Sequence, residues 1–162
     1  MVSGGGPIGE AISRMQWGLA TKRATGAEIK VPYYLGLQAE AHRRANRVVE
    51  AMSLLDEALE VVERTDERWY EAELCRLMAD VLITKSDRQD AERWLRRSLQ
   101  TARKQGARLW ELRAVTSLAR LWHDQGKRAD ARDLLTPTYG SFTEGFDTRD
   151  LKEAAALLAE LA

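Results

Sequence analysis

Proline and cysteine are scarce in this chain: three prolines and one cysteine in 162 residues. A single thiol excludes an internal disulfide and fits a reducing compartment, so a cytoplasmic location is expected. Pro7, Pro32 and Pro137 each fall where a helix would begin or end. Strand signals are missing, with no sustained alternation and no Asn-Gly hairpin turn. No apolar run is long enough for a membrane-spanning helix, and no basic start leads into an apolar stretch as a signal peptide requires. Charge of one sign is also lacking, because 25 lysines and arginines balance 25 aspartates and glutamates. With no global field, neither nucleic acid nor an anionic membrane is an expected partner.

Catalytic and cofactor signals are equally sparse. His42 and His123 are the two histidines. Neither stands in an H-E-x-x-H motif or beside a cysteine cluster, so no metal is expected. Cys75 sits in the middle of an apolar helical stripe with no base near it in sequence, which reads as a buried structural thiol. Gly4-Gly5-Gly6-Pro7-Ile8-Gly9 formally satisfies G-x-G-x-x-G, but a dinucleotide site needs a strand before it and a parallel sheet around it. No phosphate-loop motif occurs. The chain is expected to be no enzyme and to carry no cofactor.

What is present is periodicity. Ala11, Ala51, Ala91 and Ala131 stand 40 residues apart, and so do Ala39, Ala79 and Ala119. Met15, Leu55, Leu95 and Leu135 each follow an alanine of the first set by four residues, and Leu19, Leu59 and Leu99 follow by eight. Thr25-Gly26-Ala27, Thr65-Asp66-Glu67 and Gln105-Gly106-Ala107 punctuate at the same interval. A period of this size marks a stacked repeat protein, whose units bury their apolar faces only against neighbours. Apolar residues recur at helical spacing within each unit, as in Leu74, Leu77, Met78, Val81 and Leu82. The pattern predicts helices over 8–24, 32–45, 48–64, 68–85, 88–104, 108–125, 128–139 and 148–161. The short links Asn46-Arg47, Ser86-Asp87 and Gly126-Lys127 force antiparallel pairs. The two alanine sets should lie where the helices of a pair cross, letting the backbones approach. Residues 1–7 read as a flexible segment, 8–147 as the repeat domain and 148–162 as a capping helix. The repeat domain divides into a half repeat 8–27 and repeats 32–66, 68–106 and 108–139.

These residues resemble the tetratricopeptide repeat. Ala79 and Ala119 match the small position of its first helix, Gly126 its turn glycine (Ser86 and Asn46 in the other copies), and Ala91 and Ala131 the alanine of its second helix. Leu95 and Leu135 match the large apolar position, and Trp122 and Leu82 the aromatic slot, where His42 also falls. The spacing of 40 is longer than the family's usual repeat, and Leu35, Cys75 and Val115 replace its tryptophan. The resemblance implies an all-α, TPR-like superhelix of antiparallel helix pairs, with protein binding as its function. A narrower resemblance rests on Glu67 to Leu74, Leu118 to Trp122 and Thr143 to Ala154. These segments are similar to the C-terminal repeats of bacterial adenylate/guanylate cyclase-like proteins with an AAA-type ATPase domain. That likeness implies a regulatory or scaffolding signalling tail whose catalytic parts lie upstream.

The resemblance also implies a concave groove lined by the first helices. The matching positions are Tyr33, Glu40, Arg43, Arg44, Glu73, Arg76, Asp80, Thr84, Arg113, Thr116, Arg120 and His123. The arginine fork suits carboxylates and phosphates. An acidic peptide or a C-terminal carboxylate clamped by Arg76, Arg113 and Arg120 is the sharpest form of this reading. Interspersed Glu40, Glu73, Asp80 and Asp124 leave open a plainer one, a solvated face of ion pairs that neutralise each other. Five tryptophans, Trp17, Trp69, Trp94, Trp110 and Trp122, are spread over different repeats, which argues for packing between repeats, with Trp69 and Trp110 partly exposed. The expected partner is a protein or peptide. Self-association through the end helices, or a small-molecule sensor role, are the alternatives.

Overall fold

A computed structural model describes residues 7–26 and 28–162. The glycine-rich opening lies outside the described residues, except that Pro7 and Gly9 are part of the first helix. Eight helices follow one another with no strand among the described residues. They are α1 (Pro7–Ala24), α2 (Val31–Arg44), α3 (Val48–Thr65), α4 (Glu71–Thr84), α5 (Arg88–Gln105), α6 (Arg108–Asp124), α7 (Arg128–Gly140) and α8 (Arg149–Leu161). No helix is long and apolar enough to cross a membrane.

Helices pair as α2 with α3, α4 with α5 and α6 with α7. The three tight turns inside these pairs are built alike. Asn46, Ser86 and Gly126 adopt φ of 58°, 65° and 80°. The following residue's amide reaches back to His42, Leu82 and Trp122 O, at 2.9 Å in each case. This is the left-handed helix stop that glycine favours and that asparagine and serine tolerate at some cost.

The first helices form a continuous inner row, α2 against α4, α4 against α6 and α6 against α8. The backbones of the second helices α1, α3, α5 and α7 stay further apart, and these helices meet through long side chains, as Arg23 of α1 does Glu57 of α3 and Arg97 of α5 does Glu63 of α3. Tight packing inside and separation outside curve the stack, so the first helices line its concave side. Alanine at the crossings makes the tight packing possible: Ala39, Ala51, Ala79, Ala91, Ala119 and Ala131 are all buried. Gly36 serves the same end, since a Cβ there would stand 2.9 Å from both Leu74 Cδ2 and Tyr70 Cε1.

Two features depart from the sequence reading. Helix α4 begins at Glu71, not at residue 68, because the preceding loop is held by contacts to other repeats. The Glu67 carboxylate accepts from Lys30 N and Trp69 Nε1 at 2.9 Å, and Gln105 Nε2 donates to Arg68 O at 2.7 Å. Trp17 is not packed between repeats but is 74% exposed. Helix α1 packs on α2 through Ile12, Met15 and Leu19 and reaches α3 through the ion pair of Arg23 with Glu57. Ala11, alone of its set, is exposed as well.

Candidate functional site

The inner row encloses an open recess of about 530 Å³ on the concave side. Of the twelve groove positions expected from the sequence, Glu40, Arg43, Arg44, Arg76, Asp80, Thr84, Arg113, Thr116 and Arg120 line it. Repeat register explains this convergence: Glu40, Asp80 and Arg120 occupy the same row of α2, α4 and α6.

Three positions fall elsewhere. Tyr33 belongs to a ladder of rings at the starts of the first helices, 5.1 Å from Tyr70, which lies 5.5 Å from Trp110. His123 does not face the recess; its Nδ1 lies 3.7 Å from Asp124 Oδ1. Glu73 is 2% exposed and lies beneath the lining. Helix α8 brings in Arg149, Asp150 and Glu153, and the start of α5 brings in Arg88, all missing from the sequence reading. A signal existed for two of them: Asp150 and Glu153 each stand one residue ahead of Leu151 and Ala154 in the apolar stripe of α8. Nothing in the local sequence distinguished Arg88 from other helix-start arginines.

Glu73 organises the floor. Arg76 grips it with Nε and Nη2, both at 2.9 Å, and Arg113 Nη1 lies 2.9 Å from the same carboxylate. Arg76 Nη1 also donates to Asp80 at 2.7 Å, and Arg113 Nε lies 3.3 Å from Asp150. The Arg113 guanidinium is further held 5.5 Å from the Trp110 ring centroid. Burial works against the charge of Arg76, but Glu73 and Asp80 outweigh it and raise its pKa. Glu40 accepts two bonds from Arg43, at 2.7 and 2.9 Å, and one from Arg44 at 2.8 Å. Burial pushes the Glu40 carboxyl up, yet these bonds prevail and hold it below its usual range. Arg149 is paired with Glu153 at 2.7 Å. The Thr84 and Thr116 hydroxyls donate to carbonyls of their own helices.

The arginine trio expected to clamp a ligand is therefore split. Arg76 and Arg113 are committed to Glu73, Asp80 and Asp150, whereas Arg120 has no carboxylate within ion-pair distance among the described residues. Arg88 is in the same position. In all, seven arginines line the recess against five carboxylates in its wall and Glu73 beneath it, a surplus of one positive charge. With Arg88 and Arg120 the arginines outside these pairs, the surplus positive charge sits on side chains free to turn toward a ligand.

Other expected features are placed as follows. Cys75 is fully buried, and burial pushes its thiol up to about 12, which makes it a poor nucleophile. His42 is buried, and Trp69 is exposed beside a half-buried Trp110. Among the described residues, no three His, Cys, Asp or Glu side chains cluster so as to hold a metal ion.

No family model matches the sequence, and no curated protein does. Solved structures do share the fold. The TPR-like repeats of a kinesin light chain-type protein of Podosopora anserina superpose with a TM-score of 0.69 at 18% identity, over 95% of this chain and 77% of that one. A single-substitution variant of it gives 0.71 at 18% identity, over 95% and 76%. BtubC (BKLC) from P. vanneervenii gives 0.77 at 16% identity, over 96% of this chain and 65% of its own. The chain thus has a TPR-like fold, an all-α solenoid of antiparallel helix pairs, and at these identities the likeness is one of fold.

Proposed function

We propose that this chain is a non-catalytic protein-interaction module whose concave recess takes an acidic segment of a partner protein. The fold supports the general reading, since TPR-like repeats serve as interaction scaffolds. The observation that carries the specific one is the pair Arg88 and Arg120, two arginines of the recess outside every ion pair among the described residues. Five further arginines are fixed by their carboxylates and set the shape of the wall. Guanidiniums already engaged by carboxylates have fewer open donors to offer a ligand, so ligand capture falls to the uncommitted pair. Their surplus charge also attracts an anionic segment before contact.

In its wider form the proposal places the module at the C-terminal end of a cyclase/ATPase-type signalling protein, where the acidic segment belongs to an attached domain or to its regulator. A small-molecule sensor role fits less well. Ligand pockets are typically enclosed and mostly apolar, whereas this recess is open and lined by charge.

The test uses a fluorescein-labelled Glu- and Asp-rich peptide and a Lys-rich peptide of equal length, followed by anisotropy. The acidic peptide is expected to bind, and the double reversal Arg88→Glu with Arg120→Glu to weaken it at least about tenfold, or about 1.4 kcal/mol, with the melting temperature unchanged. Equal binding of both peptides, or an acidic-peptide affinity indifferent to the reversal, would sink the proposal.

A further inference from the structure

The starts of the first helices carry two rows of large apolar side chains. In the inner row Tyr70 is buried and Trp110 half-buried, and their rings meet between repeats. In the outer row Ile29, Trp69 and Leu109 stand 40 residues apart and are 69%, 44% and 46% exposed. Helices of neighbouring repeats flank Trp69 and Leu109 on both sides, so their exposure owes nothing to the ends of the stack. Tyr33 joins the rows, with its ring centroid 5.6 Å from Trp69 and 5.1 Å from Tyr70. Tyr70 in turn lies 5.5 Å from Trp110. The result is one apolar strip across α2, α4 and α6, its rings held against one another before any ligand arrives. Packing between repeats accounts for the inner row. It leaves the outer one unexplained, since polar residues there would serve the fold as well and solubility better.

The strip also carries one bare charge. Glu63, Asp66, Glu71, Glu73 and Asp80 are each paired with an arginine. Glu67, in their midst, has no cation within ion-pair distance among the described residues. Its bonds come from uncharged donors, Lys30 N and Trp69 Nε1, both at 2.9 Å, which fix the carboxylate beside the exposed ring. A basic side chain lying over Trp69 would gain the attraction of the ring and of this carboxylate together. The Tyr33 hydroxyl and Trp110 Nε1 donate to no acceptor among the described residues. The strip thus offers apolar rings, free donors and a single negative charge.

Spacing selects the ligand. The outer row repeats once per first helix, and packed helices stand about 8–10 Å apart. An extended strand returns to one face every second residue, about 6.7 Å. An α-helix does so every turn, about 5.4 Å, and its carbonyls are already satisfied. A polyproline II helix returns every third residue, about 9.3 Å, with its carbonyls free to accept. We infer that this strip binds a proline-rich segment of a partner protein, with apolar contacts at every third residue and a flanking arginine or lysine over Trp69 against Glu67. Tyr33 and Trp110 donate to its carbonyls, and the rigid ligand loses little freedom on docking. The strip is a second surface, and the inference is independent of the recess and its acidic ligand.

Fluorescence anisotropy on the full chain tests it, with a labelled peptide carrying three prolines at every third position and one flanking arginine. The peptide is expected to bind, and Trp69→Ala, at an exposed position, to weaken it at least about tenfold with unchanged melting. Leu109→Ser, one repeat away and clear of Glu67, should weaken it severalfold. Glu67→Gln keeps an acceptor for Lys30 N and Trp69 Nε1 but loses the charge. It should weaken the arginine peptide about threefold and leave a peptide with glutamine in that place unaffected. Arg88→Glu with Arg120→Glu, the reversal aimed at the recess, should leave proline-peptide binding unchanged. Four results would overturn the assignment: no binding of the proline peptide at millimolar concentration, equal binding of a peptide with alanine for each proline, an affinity indifferent to both Trp69→Ala and Leu109→Ser, or capture at this strip of the acidic peptide instead.

Discussion

Helices α4 and α1 derive from the same repeating pattern, yet ten of the fourteen residues of α4 are buried and only two of the eighteen in α1. The central helix is enclosed by α2, α3, α5 and α6, while α1 packs on α2 and reaches α3 only through the ion pair of Arg23 with Glu57. A residue in a solenoid is buried by the helices beside it, so identical side chains in equivalent rows contribute differently according to position in the stack. Ala91 and Ala11 stand in the same row, but only Ala91 has a partner helix pressed against it. The same holds for charge. Arg76 in the middle of the inner row is locked from two sides, whereas Arg88 and Arg120 remain outside the network.

The contrast can be broken most severely at Glu73. Glu73→Ala removes the acceptor shared by Arg76 and Arg113, and is expected to cost about 3–5 kcal/mol in urea unfolding, the usual penalty for breaking a buried ion pair from one side. A loss under about 1 kcal/mol would mean that Asp80 and Asp150 suffice to hold both arginines. Next comes Leu95, fully buried in α5. Leu95→Ala should cost about 2–5 kcal/mol through the cavity it leaves.

Overpacking sharpens the comparison directly. Ala79→Leu should destabilise by about 1–3 kcal/mol, because the α4–α5 crossing has no room for a branched side chain. Ala11→Leu, measured at low micromolar concentration, should stay within about 0.5 kcal/mol of the parent. Equal effects would show that α1 is enclosed after all.

The smallest effect is a pH dependence. His42 is buried with neither ring nitrogen hydrogen-bonded among the described residues. Burial, reinforced by nearby Arg47, holds its pKa below the usual 6.5. From pH 6.5 downward the unfolded chain therefore takes up a proton that the fold resists, so stability should decline as the pH falls through that range and be level above it. His42→Leu, which places the residue of the equivalent Leu82 there, should flatten the decline in melting temperature. An unchanged slope would assign it to other groups.

Most of the helix boundaries were legible because apolar spacing and the turns at Asn46, Ser86 and Gly126 are local signals. The start of α4 was not, because Glu67 and Arg68 are drawn into contacts with Lys30 and Gln105, both more than thirty residues away in sequence. Nine of the twelve groove positions line the recess because register alone aligns the rows of three helices. Helix α8 lies outside the three helix pairs from which the groove was read, although it begins 41 residues after α6, and with it went Arg149, Asp150 and Glu153.

By itself the sequence determined the number of helices, their pairing and the alanine crossings, all consequences of periodicity and short links. Tertiary structure alone decided which arginines are free. Glu73, Arg113 and Asp150 meet only when α4, α6 and α8 stand side by side, and a charge is neutralised by its neighbours in space, whatever lies next to it along the chain.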